Sequence, residues 1–354
     1  MKAGIHCVIL AGGRGKRFWP LSRRKAPKPF LPLFDGKSLL RMTLDRLLPL
    51  CSPGQILIVG DREHEELLRQ ALGEIPGENL LLEPFPRNTA ASVALAALEV
   101  KRRAGNPPIL VAPVDHFIGD PETFKADVRE GSELCGEYLV ALGVKPKTAD
   151  TGFGYIEAGE KIASGRARRV ISFHEKPSRQ HAERLVQNPA TFWNSGIFLW
   201  TPSRILEAME THLPRLGGVL GELEKALGKG SSDLLEGVYR NLEDISVDRG
   251  VLERAANVAV LPVKFSWSDV GSWSGLGPLL PELDGSNRGT GKILTLNAED
   301  NLVVHPGGLT ALIGVRDLVV VYSAGVLLVC PRERCQEVKD LVEILERNKE
   351  EEYL

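Results

Sequence analysis

The chain passes from a short apolar run, residues 5–10, into the segment Leu10-Ala11-Gly12-Gly13-Arg14-Gly15-Lys16-Arg17-Phe18. Three glycines in four positions leave the turning backbone without Cβ atoms, so a ligand can approach the main chain closely. Amide groups in such a turn form a concave site for anions, and the basic side chains beside it add positive charge. A strand that leads into a glycine-rich, basic loop therefore predicts a phosphate-binding site.

Two common phosphate-binding motifs do not fit this loop. A P-loop requires a glycine five residues before Gly-Lys-Ser or Gly-Lys-Thr, and the residue five before Gly36-Lys37-Ser38 is Leu31. The dinucleotide pattern Gly-x-Gly-x-x-Gly begins at Gly13 and Gly15 but meets Phe18 at its last position. An ordinary solvated turn would not need so many basic residues around its glycines. The loop thus predicts a phosphate site of another class.

The composition is that of an ordinary globular protein. Of the 354 residues, 43% are apolar and 25% are charged, so neither disorder nor a fibrous structure is indicated. The length allows a large core and a second, smaller module. With 44 basic and 46 acidic residues the formal charge is −2, which does not suit general nucleic-acid binding.

The cysteines and the absence of long apolar runs indicate a cytoplasmic protein. Five scattered cysteines form neither a disulfide framework nor a zinc site by their spacing, so we expect reduced thiols. No apolar run approaches about 18 residues. The amino terminus leads straight into a strand, so we expect no signal peptide and no membrane partner.

Short apolar runs alternate with helical patterns from residue 5 to about residue 143. Residues 56–59 and 109–112 are apolar and bounded by turn residues, as in strands that are buried on both faces. Ser38 is a candidate N-cap for a leucine-rich helix, and residues 63–72 and 90–104 predict two more helices. This alternation predicts an α/β fold with a mainly parallel sheet, in which ligands bind beyond the carboxyl ends of the strands.

Polar residues follow two of the predicted strands, and at each place they suit either ligand binding or a structural cap. Glu83 ends one apolar run, and Asn88 and Thr89 follow it, where they suit either a ligand or the cap of the next helix. Asp115 follows residues 109–112; it can hold Mg²⁺, which takes one or two carboxylates plus substrate phosphates, or cap the segment after it. His116 has no partner at metal-ligand spacing and is interpreted as structural.

Three later segments also carry candidate chemistry. Gly154 lies in a turn that permits close backbone approach, and Glu175-Lys176 pairs a carboxylate with an ammonium group, which suits a sugar phosphate or a surface ion pair. Asn194 is either a turn residue or a group that binds hydroxyls. Asp269 lies between tryptophans, either as a second metal ligand opposite Asp115 or as the cap of an aromatic turn.

The pattern changes near residue 285. Residues 202–254 are mainly helical, whereas residues 289–330 show short β runs separated by Gly, Asn and Asp. We therefore predict two domains, residues 1–284 and residues 285–354, the second a small β module that closes with an amphipathic helix. The predicted β runs are Lys292–Leu296, Leu302–His305, Thr310–Ile313, Leu318–Tyr322 and Val326–Val329.

Several ordered motifs together resemble one family. The run from Ala11 to Arg23, continued by Pro27-Lys28, resembles the signature of sugar nucleotidyltransferases. The Trp-Pro-Leu-Ser-Arg part of that run, with Glu83-Pro84 through Thr89 and Ser268-Asp269-Val270-Gly271-Ser272-Trp273, resembles mannose-1-phosphate guanylyltransferases in particular. The resemblance covers nearly the whole chain.

The resemblance implies a Rossmann-like domain of the nucleotide-diphospho-sugar transferase type, followed by a small β-helix-like domain that forms a homodimer. It implies transfer of GMP from GTP to mannose 1-phosphate, with Mg²⁺ as cofactor. Arg17 and Lys28 would hold the triphosphate, and Asp115 and Asp269 would share the metal. The implied nucleotide-binding residues are Leu10, Ala11, Gly12, Gly13, Gly15, Glu83, Asn88 and Thr89, and the implied sugar-phosphate residues are Gly154, Glu175, Lys176 and Asn194.

The sequence departs from the family at three places and leaves two other functions open. Lys16 stands where relatives commonly have Thr or Ser, Pro29 where they have Gln, and Arg249-Gly250 where they have an aromatic residue and Ala. One alternative is a transferase for another nucleotide and another hexose 1-phosphate, such as glucose 1-phosphate. The other is a non-catalytic regulatory subunit that binds sugar nucleotides, although such a subunit would not need Asp115 and Asp269.

Overall fold

The computed structural model describes residues 4–13, 15–34, 36–162 and 165–354. Arg14, a basic residue of the predicted phosphate loop, lies outside the described residues. The chain divides into two units. Unit 1 comprises Met1–Gly12, Thr43–Val114 and Ile118–Trp267, and unit 2 comprises Gly13–Met42, Asp115–Phe117 and Ser268–Leu354. The boundary between residues 284 and 285 stays a prediction from sequence pattern.

The strands are numbered in chain order. They are β1 His6–Leu10, β2 Ile56–Asp61, β3 Leu80–Glu83, β4 Ile109–Pro113, β5 His116–Ile118, β6 Leu139–Val144, β7 Tyr155–Lys161, β8 Arg168–His174, β9 Thr191–Trp200, β10 Val258–Pro262, β11 Trp267–Asp269, β12 Glu282–Asp284, β13 Asn287–Leu296, β14 Leu302–Ile313, β15 Leu318–Ser323 and β16 Val326–Pro331.

The α-helices are numbered in the same way. They are α1 Leu39–Leu47, α2 Glu65–Ala71, α3 Asn88–Ala104, α4 Pro121–Ser132, α5 Arg179–Gln187, α6 Pro202–His212, α7 Pro214–Gly217, α8 Leu220–Lys229, α9 Ser232–Tyr239, α10 Trp273–Leu276 and α11 Val338–Asn348. A π-helix, Asp248–Leu252, lies between α9 and β10.

A nine-stranded mixed sheet forms the centre of unit 1, in the order β3-β2-β1-β4-β9-β6-β10-β8-β7. The strands from β1 to β4 pair in parallel with one another, and the antiparallel pairings involve β7, β8 and β9. The apolar runs predicted as buried strands are completely buried in β2 and nearly so in β4. The predicted mixed sheet is confirmed, and helix α3 packs on it with an alanine-rich buried face.

Unit 2 contains a five-stranded sheet in the order β12-β13-β14-β15-β16. Strands β13, β14 and β15 are parallel neighbours. Two buried asparagines link successive layers, because Asn301 Nδ2 donates to Asn287 Oδ1 at 2.9 Å and Asn301 Oδ1 accepts from the Leu318 amide at 3.0 Å. Stacked parallel strands tied by a side-chain ladder confirm the predicted β-helix-like module.

Strand β14 differs from the predicted pattern. The sequence predicts two runs, because Pro306-Gly307-Gly308 between them is typical of a turn. The structure has one strand, Leu302–Ile313, and its pairing with β13 shifts between Gly291 and Lys292. The extra residues are accommodated in a bulge, where Gly307 has a φ of +84°. None of the helices in the described parts of the chain is long and apolar enough to cross a membrane.

Candidate active site

The loop after β1 presents bare backbone. The Ala11 amide donates to the Val59 carbonyl oxygen at 2.8 Å, which continues the line of β1 beside β2. An added Cβ at Gly12 or Gly13 would meet no atom of the described chain within 4 Å, and Gly13 has a φ of +99°. The predicted loop residues from Leu10 to Gly13 thus lie at the carboxyl end of a strand, and the backbone at Gly12 and Gly13 is open to a ligand.

Gly15 packs directly on Lys28 within unit 2. A Cβ on Gly15 would lie 2.4 Å from Lys28 Cβ, and Gly15 has a φ of +66°. Lys28 begins a short 3₁₀ helix, Lys28–Phe30, and only 6% of its surface is exposed. Its Nζ lies 5.1 Å from the centroid of the Phe18 ring. The glycine therefore lets the loop close on the lysine stem and hold its ammonium group in place.

Lys28 forms an ion pair with Asp115, and the charges of both residues act on the Asp269 carboxylate. Lys28 Nζ is 2.5 Å from Asp115 Oδ2. The Val270 amide donates to the Asp115 carbonyl oxygen at 3.0 Å, which connects the backbone of the two acidic segments. The Asp269 carboxylate accepts from the Gly271 amide at 3.2 Å. Unit 2 thus brings together three side chains from segments that are far apart in the sequence.

The two carboxyl groups of this cluster are shifted in opposite directions. Burial works to raise the pKa of Asp115, but the positive charge of Lys28 overcomes it and brings that pKa down to about 2. Burial and the negative charge of Asp115 raise the pKa of Asp269, against the opposing charges of Lys28 and Arg17. Asp115 is therefore the carboxyl group that stays ionised, and an added cation would stabilise the ionised form of Asp269.

The basic side chains beside the loop contact the carboxyl-terminal helix region within unit 2. Arg17 Nη1 donates to Gln336 Oε1 at 3.0 Å. Lys16 Nζ is 2.7 Å from Glu346 Oε2 in α11. Lys16 is one of the departures from the family pattern, and in this structure its charge has a carboxylate partner.

The turn that carries Asp269 is also packed with aromatic side chains, as the second interpretation of this segment predicts. The rings of Phe18 and Trp273 lie 5.1 Å apart, and Trp273 Nε1 donates to the Trp19 carbonyl oxygen at 3.3 Å. Trp273 is completely buried in a core that includes Val270. The carboxylate of Asp269 thus projects from a turn that is fixed by apolar packing.

Unit 1 contains a cleft of about 690 Å³ at the start of α3. Four predicted residues line it: Asn88 and Thr89 from α3, and Glu175 and Lys176 from the turn after β8. The other lining residues are Glu243, Asp244, Ile245, Ser246, Asp248 and Arg249.

The predicted sugar-phosphate residues come together in unit 1. A Cβ on Gly154 would lie 2.6 Å from Glu175 Oε2 and 3.3 Å from Asn194 Cβ. The Asn194 amide donates to the Gly154 carbonyl oxygen at 2.8 Å. Lys176 has a φ of +49°, and its Nζ lies 3.2 Å from Glu175 Oε1. Glycine at position 154 therefore leaves the space that the Glu175 carboxylate occupies.

Neither Asn88 nor Thr89 is the N-cap of α3. The N-cap position belongs to Arg87, which makes no capping bond through its side chain. Asn88 has a φ of +59°. Thr89 Oγ1 accepts from the Val247 amide at 2.9 Å, which ties the first turn of α3 to the segment before the π-helix. Both residues are thereby fixed at the cleft.

Glu83 is the last residue of β3, contacts α3 and is almost completely buried. Its oxygens accept from Ser92 Oγ at 2.8 Å and from the Tyr239 hydroxyl at 3.2 Å. Burial raises the pKa of Glu83 to about 7, although these two hydrogen bonds oppose the rise. Its carboxyl group thus braces α3 against α9 in the structure, and a direct contact between Glu83 and a base stays a prediction.

Sequence reasoning missed Asp248, Gln336 and Glu346. Asp248 lines the cleft and accepts a hydrogen bond from Asn194 Nδ2 at 2.7 Å. The available signal was its position immediately before Arg249-Gly250, where the chain departs from the family. Gln336 and Glu346 contact loop residues more than 300 positions away, and no local pattern indicates such pairs.

Asp115 and Asp269 are the groups that suit a divalent cation. The described residues contain no set of three or more His, Cys, Asp or Glu side chains arranged to hold a metal. Two carboxylates are nevertheless the donor set typical of Mg²⁺, which takes its remaining ligands from substrate phosphates and water. The raised pKa of Asp269 beside Asp115 agrees with a site that an added cation would stabilise.

Comparison with known proteins matches two parts of the chain. The nucleotidyl transferase family profile matches residues 6–281, and the MannoseP isomerase/GMP-like beta-helix domain matches residues 291–345. The mannose-1-phosphate guanylyltransferase of Klebsiella pneumoniae is 35% identical over 355 residues, which cover 98% of this chain and 75% of that protein. The protein of the same name from Escherichia coli K12 is 35% identical over 362 residues, with coverages of 99% and 75%.

A solved structure agrees with these matches. A crystal structure from Thermus thermophilus, named mannose-1-phosphate geranyltransferase, is 37% identical and superposes with a TM-score of 0.88. The match covers 98% of this chain and 100% of that one. The fold, the profile match over most of the chain and the relatives' identity agree, and the chain belongs to the nucleotidyl transferase family.

Proposed function

We propose that this protein transfers GMP from GTP to mannose 1-phosphate, giving GDP-mannose and pyrophosphate. The observation that carries the proposal is the cluster of Lys28, Asp115 and Asp269 in unit 2, with the charge of Arg17 acting on Asp269. A binding-only subunit would not need a buried lysine on a pair of carboxylates. The names of the relatives support the choice of GTP and mannose 1-phosphate.

The reaction needs no covalent nucleophile from the protein. The phosphate of mannose 1-phosphate is already an oxyanion, and it attacks the α-phosphorus of GTP in line while pyrophosphate leaves with the electron pair of the broken bond. The protein must align two anions and neutralise their charge. We assign that role to Lys28 and Arg17, whose charges stabilise the non-bridging oxygens and the leaving group.

We propose Mg²⁺ as the cofactor, held by Asp115 and Asp269. When bound, the ion would supply charge neutralisation at the phosphates. Lys28 keeps Asp115 ionised, as its low pKa indicates. The unfavourable interaction of Asp269 with Asp115 would be offset by the charge of a bound cation.

The remaining predicted residues divide between the two substrates. We assign Leu10, Ala11, Gly12, Gly13 and Gly15 to the nucleotide phosphates, on the bare backbone described above. We assign Asn88 and Thr89 to the nucleoside because they line the cleft of unit 1, with Glu83 bracing the helix that carries them. We assign Gly154, Glu175, Lys176 and Asn194 to the site for mannose 1-phosphate, because they converge at one place.

A substrate panel tests the proposal. Each common nucleoside triphosphate is combined with mannose 1-phosphate or glucose 1-phosphate in the presence of Mg²⁺, and pyrophosphate release is measured. We expect the highest kcat/KM for GTP with mannose 1-phosphate. A higher value for another pair would assign a different transferase activity, and binding without turnover for every pair would indicate a regulatory subunit.

We also propose that the protein forms a homodimer through the β module. Alternate residues of β13 and β14 form one exposed apolar face, since Leu294 pairs with Ala311 and Leu296 with Ile313. Leu294 is 64% exposed and Ile313 is 70% exposed. Exposed apolar patches of this kind mark protein interaction sites, and a second copy presents the same face.

The variant Ile313→Asp tests this interface. We expect it to shift the protein from dimer to monomer in sedimentation equilibrium, because a charge replaces an exposed apolar side chain of the face. Ile171→Asp is the control, since Ile171 is 73% exposed on β8 of unit 1 and lies outside the face. A wild-type protein that sediments as a monomer would contradict the proposal.

We further propose a cytoplasmic location, with which five free thiols agree.

A further inference from the structure

Both ends of the Asn194 side-chain amide are committed to the protein. Its Nδ2 donates to Asp248 Oδ1 at 2.7 Å, and its Oδ1 accepts from the Gly196 amide at 3.0 Å. Asn194 is also almost completely buried, at 8% exposure. The oxygen and the nitrogen of the amide therefore have fixed directions, and the group that Asn194 holds is the Asp248 carboxylate.

Asp248 is the first residue of the π-helix. The Asp248 carbonyl oxygen accepts from the Glu253 amide, five residues on, at 2.9 Å. A Cβ on Gly250 would lie 2.9 Å from Leu213 Cδ1, so glycine lets this turn lie close to Leu213. Single π-helical turns are frequent at functional sites, because the extra residue redirects a side chain.

The π-helix is also anchored on its amino-terminal side. The Val247 amide donates to Thr89 Oγ1 at 2.9 Å, and the Gly250 amide donates to the Ser246 carbonyl oxygen at 2.8 Å. Asp248 is therefore held from α3 through Thr89 and from β9 through Asn194. Such a carboxylate has a defined position at the cleft.

The Asp248 carboxylate has capacity for a ligand that donates hydrogen bonds. The Asn194 amide and the backbone amide of Asp248 itself each donate to this carboxylate, which has about four acceptor positions, so about two stay open. Burial and the negative charge of Glu175 raise the pKa of Asp248 to about 6, which shows that its charge is poorly compensated. A hydroxyl group compensates a carboxylate through a charge-assisted hydrogen bond, whereas a phosphate would repel it.

We infer that Asp248 binds a hydroxyl group of the hexose ring of the substrate, and that Asn194 is a positioning residue that holds Asp248 for this contact. The inference rests on the proposed function and names a specificity-determining residue of its sugar site. Lys176 and Arg249 line the same cleft as cations and suit the phosphate of the same substrate. The cleft thus offers carboxylates for the ring and cations for the phosphate.

Steady-state kinetics of Asp248→Ala and Asp248→Asn test the contact. We expect Asp248→Ala to raise the KM for mannose 1-phosphate by about 10- to 100-fold, the loss typical of a hydrogen bond to a charged group. Asp248→Asn should raise it less, because the amide oxygen still accepts a hydrogen bond. The KM for GTP should not change in either variant. An unchanged KM for mannose 1-phosphate in Asp248→Ala would overturn the inference.

Monodeoxy analogues of mannose 1-phosphate separate a direct contact from a structural role. We expect the wild-type protein to lose efficiency with the analogue that lacks the bound hydroxyl, and Asp248→Ala to treat that analogue and the parent alike. If Asp248 only supported the fold of the cleft, Asp248→Ala would lower kcat/KM in parallel for every analogue. That result would overturn the inference.

The wild-type protein distinguishes this inference from the proposed function. If it turns over no pair of nucleotide and hexose 1-phosphate, the proposed function fails, and calorimetric binding of mannose 1-phosphate to wild type and Asp248→Ala still tests the contact. Equal affinities would then overturn the inference, and weaker binding by the variant would support it. Glu224→Gln, an exposed carboxylate on α8, is the matched control and should behave as wild type.

Discussion

Replacing Lys28 by alanine is expected to lower kcat by about 10²–10³-fold, the range seen when one preorganised group is removed from a charge-stabilising site. Lys28 Nζ lies 2.5 Å from Asp115 Oδ2, and the ammonium group keeps that carboxyl ionised. Without it, less positive charge offsets the repulsion between Asp115 and Asp269, and one positive charge at the phosphates is lost. Pyrophosphate release under saturating substrates measures the effect.

Stability must be measured beside activity in this variant. Lys28→Ala removes the partner of a partly buried carboxylate, which costs about 1–3 kcal/mol in the free energy of unfolding. Lys28→Met is the control, because its side chain retains much of the apolar stem that packs near Phe18. We expect both variants to fold and both to be nearly inactive. Near-normal turnover in Lys28→Met would show that the ammonium group is not required.

Gly15→Ala is expected to have the second-largest effect. A methyl group at this position would lie 2.4 Å from Lys28 Cβ, so either the loop or the lysine must move. Misplacement of a reacting group by about 1 Å costs about 10²-fold in rate, and we expect kcat to fall by about that factor. Alanine at a φ of +66° also costs roughly 1–2 kcal/mol in the free energy of unfolding.

Gly230→Ala separates backbone strain from the contact with Lys28. Gly230 has nearly the same conformation, with a φ of +60°, but an added Cβ there would have no neighbour within 4 Å. It lies at the carboxyl end of α8. We expect this control to lose stability to a similar extent and to keep its kcat. Equal losses of kcat in both variants would show that strain alone explains the effect of Gly15→Ala.

Local patterns predicted several strands and one helix cap. The apolar runs at residues 56–59 and 109–112 form β2 and β4, and Ser38 caps α1 by accepting from the Arg41 amide at 3.1 Å. These features depend on a few neighbouring residues. The rule that ligands lie beyond the carboxyl ends of strands also selected the glycine-rich loop and Asp115 as candidate site residues, and their part in binding stays a prediction.

The features that the sequence did not predict depend mainly on contacts between distant segments of the chain. Asp248 meets Asn194 across 54 positions, and Arg17 meets Gln336 across 319 positions. Neither pair has a spacing that a local pattern could show. The one-piece strand β14 was also missed, because Pro306 and the two glycines after it are typical of a turn. In the structure, pairing with β13 keeps these residues in a bulged strand.

We propose that the cluster of Lys28, Asp115 and Asp269 serves the transfer of GMP from GTP to a sugar phosphate. The most direct test is to incubate the purified protein with GTP, mannose 1-phosphate and Mg²⁺ and to follow all phosphorus species by ³¹P NMR. We expect one GDP-mannose for each pyrophosphate, and the loss of both products in Lys28→Met. Absence of GDP-mannose, or release of phosphate from GTP without any consumption of mannose 1-phosphate, would contradict it.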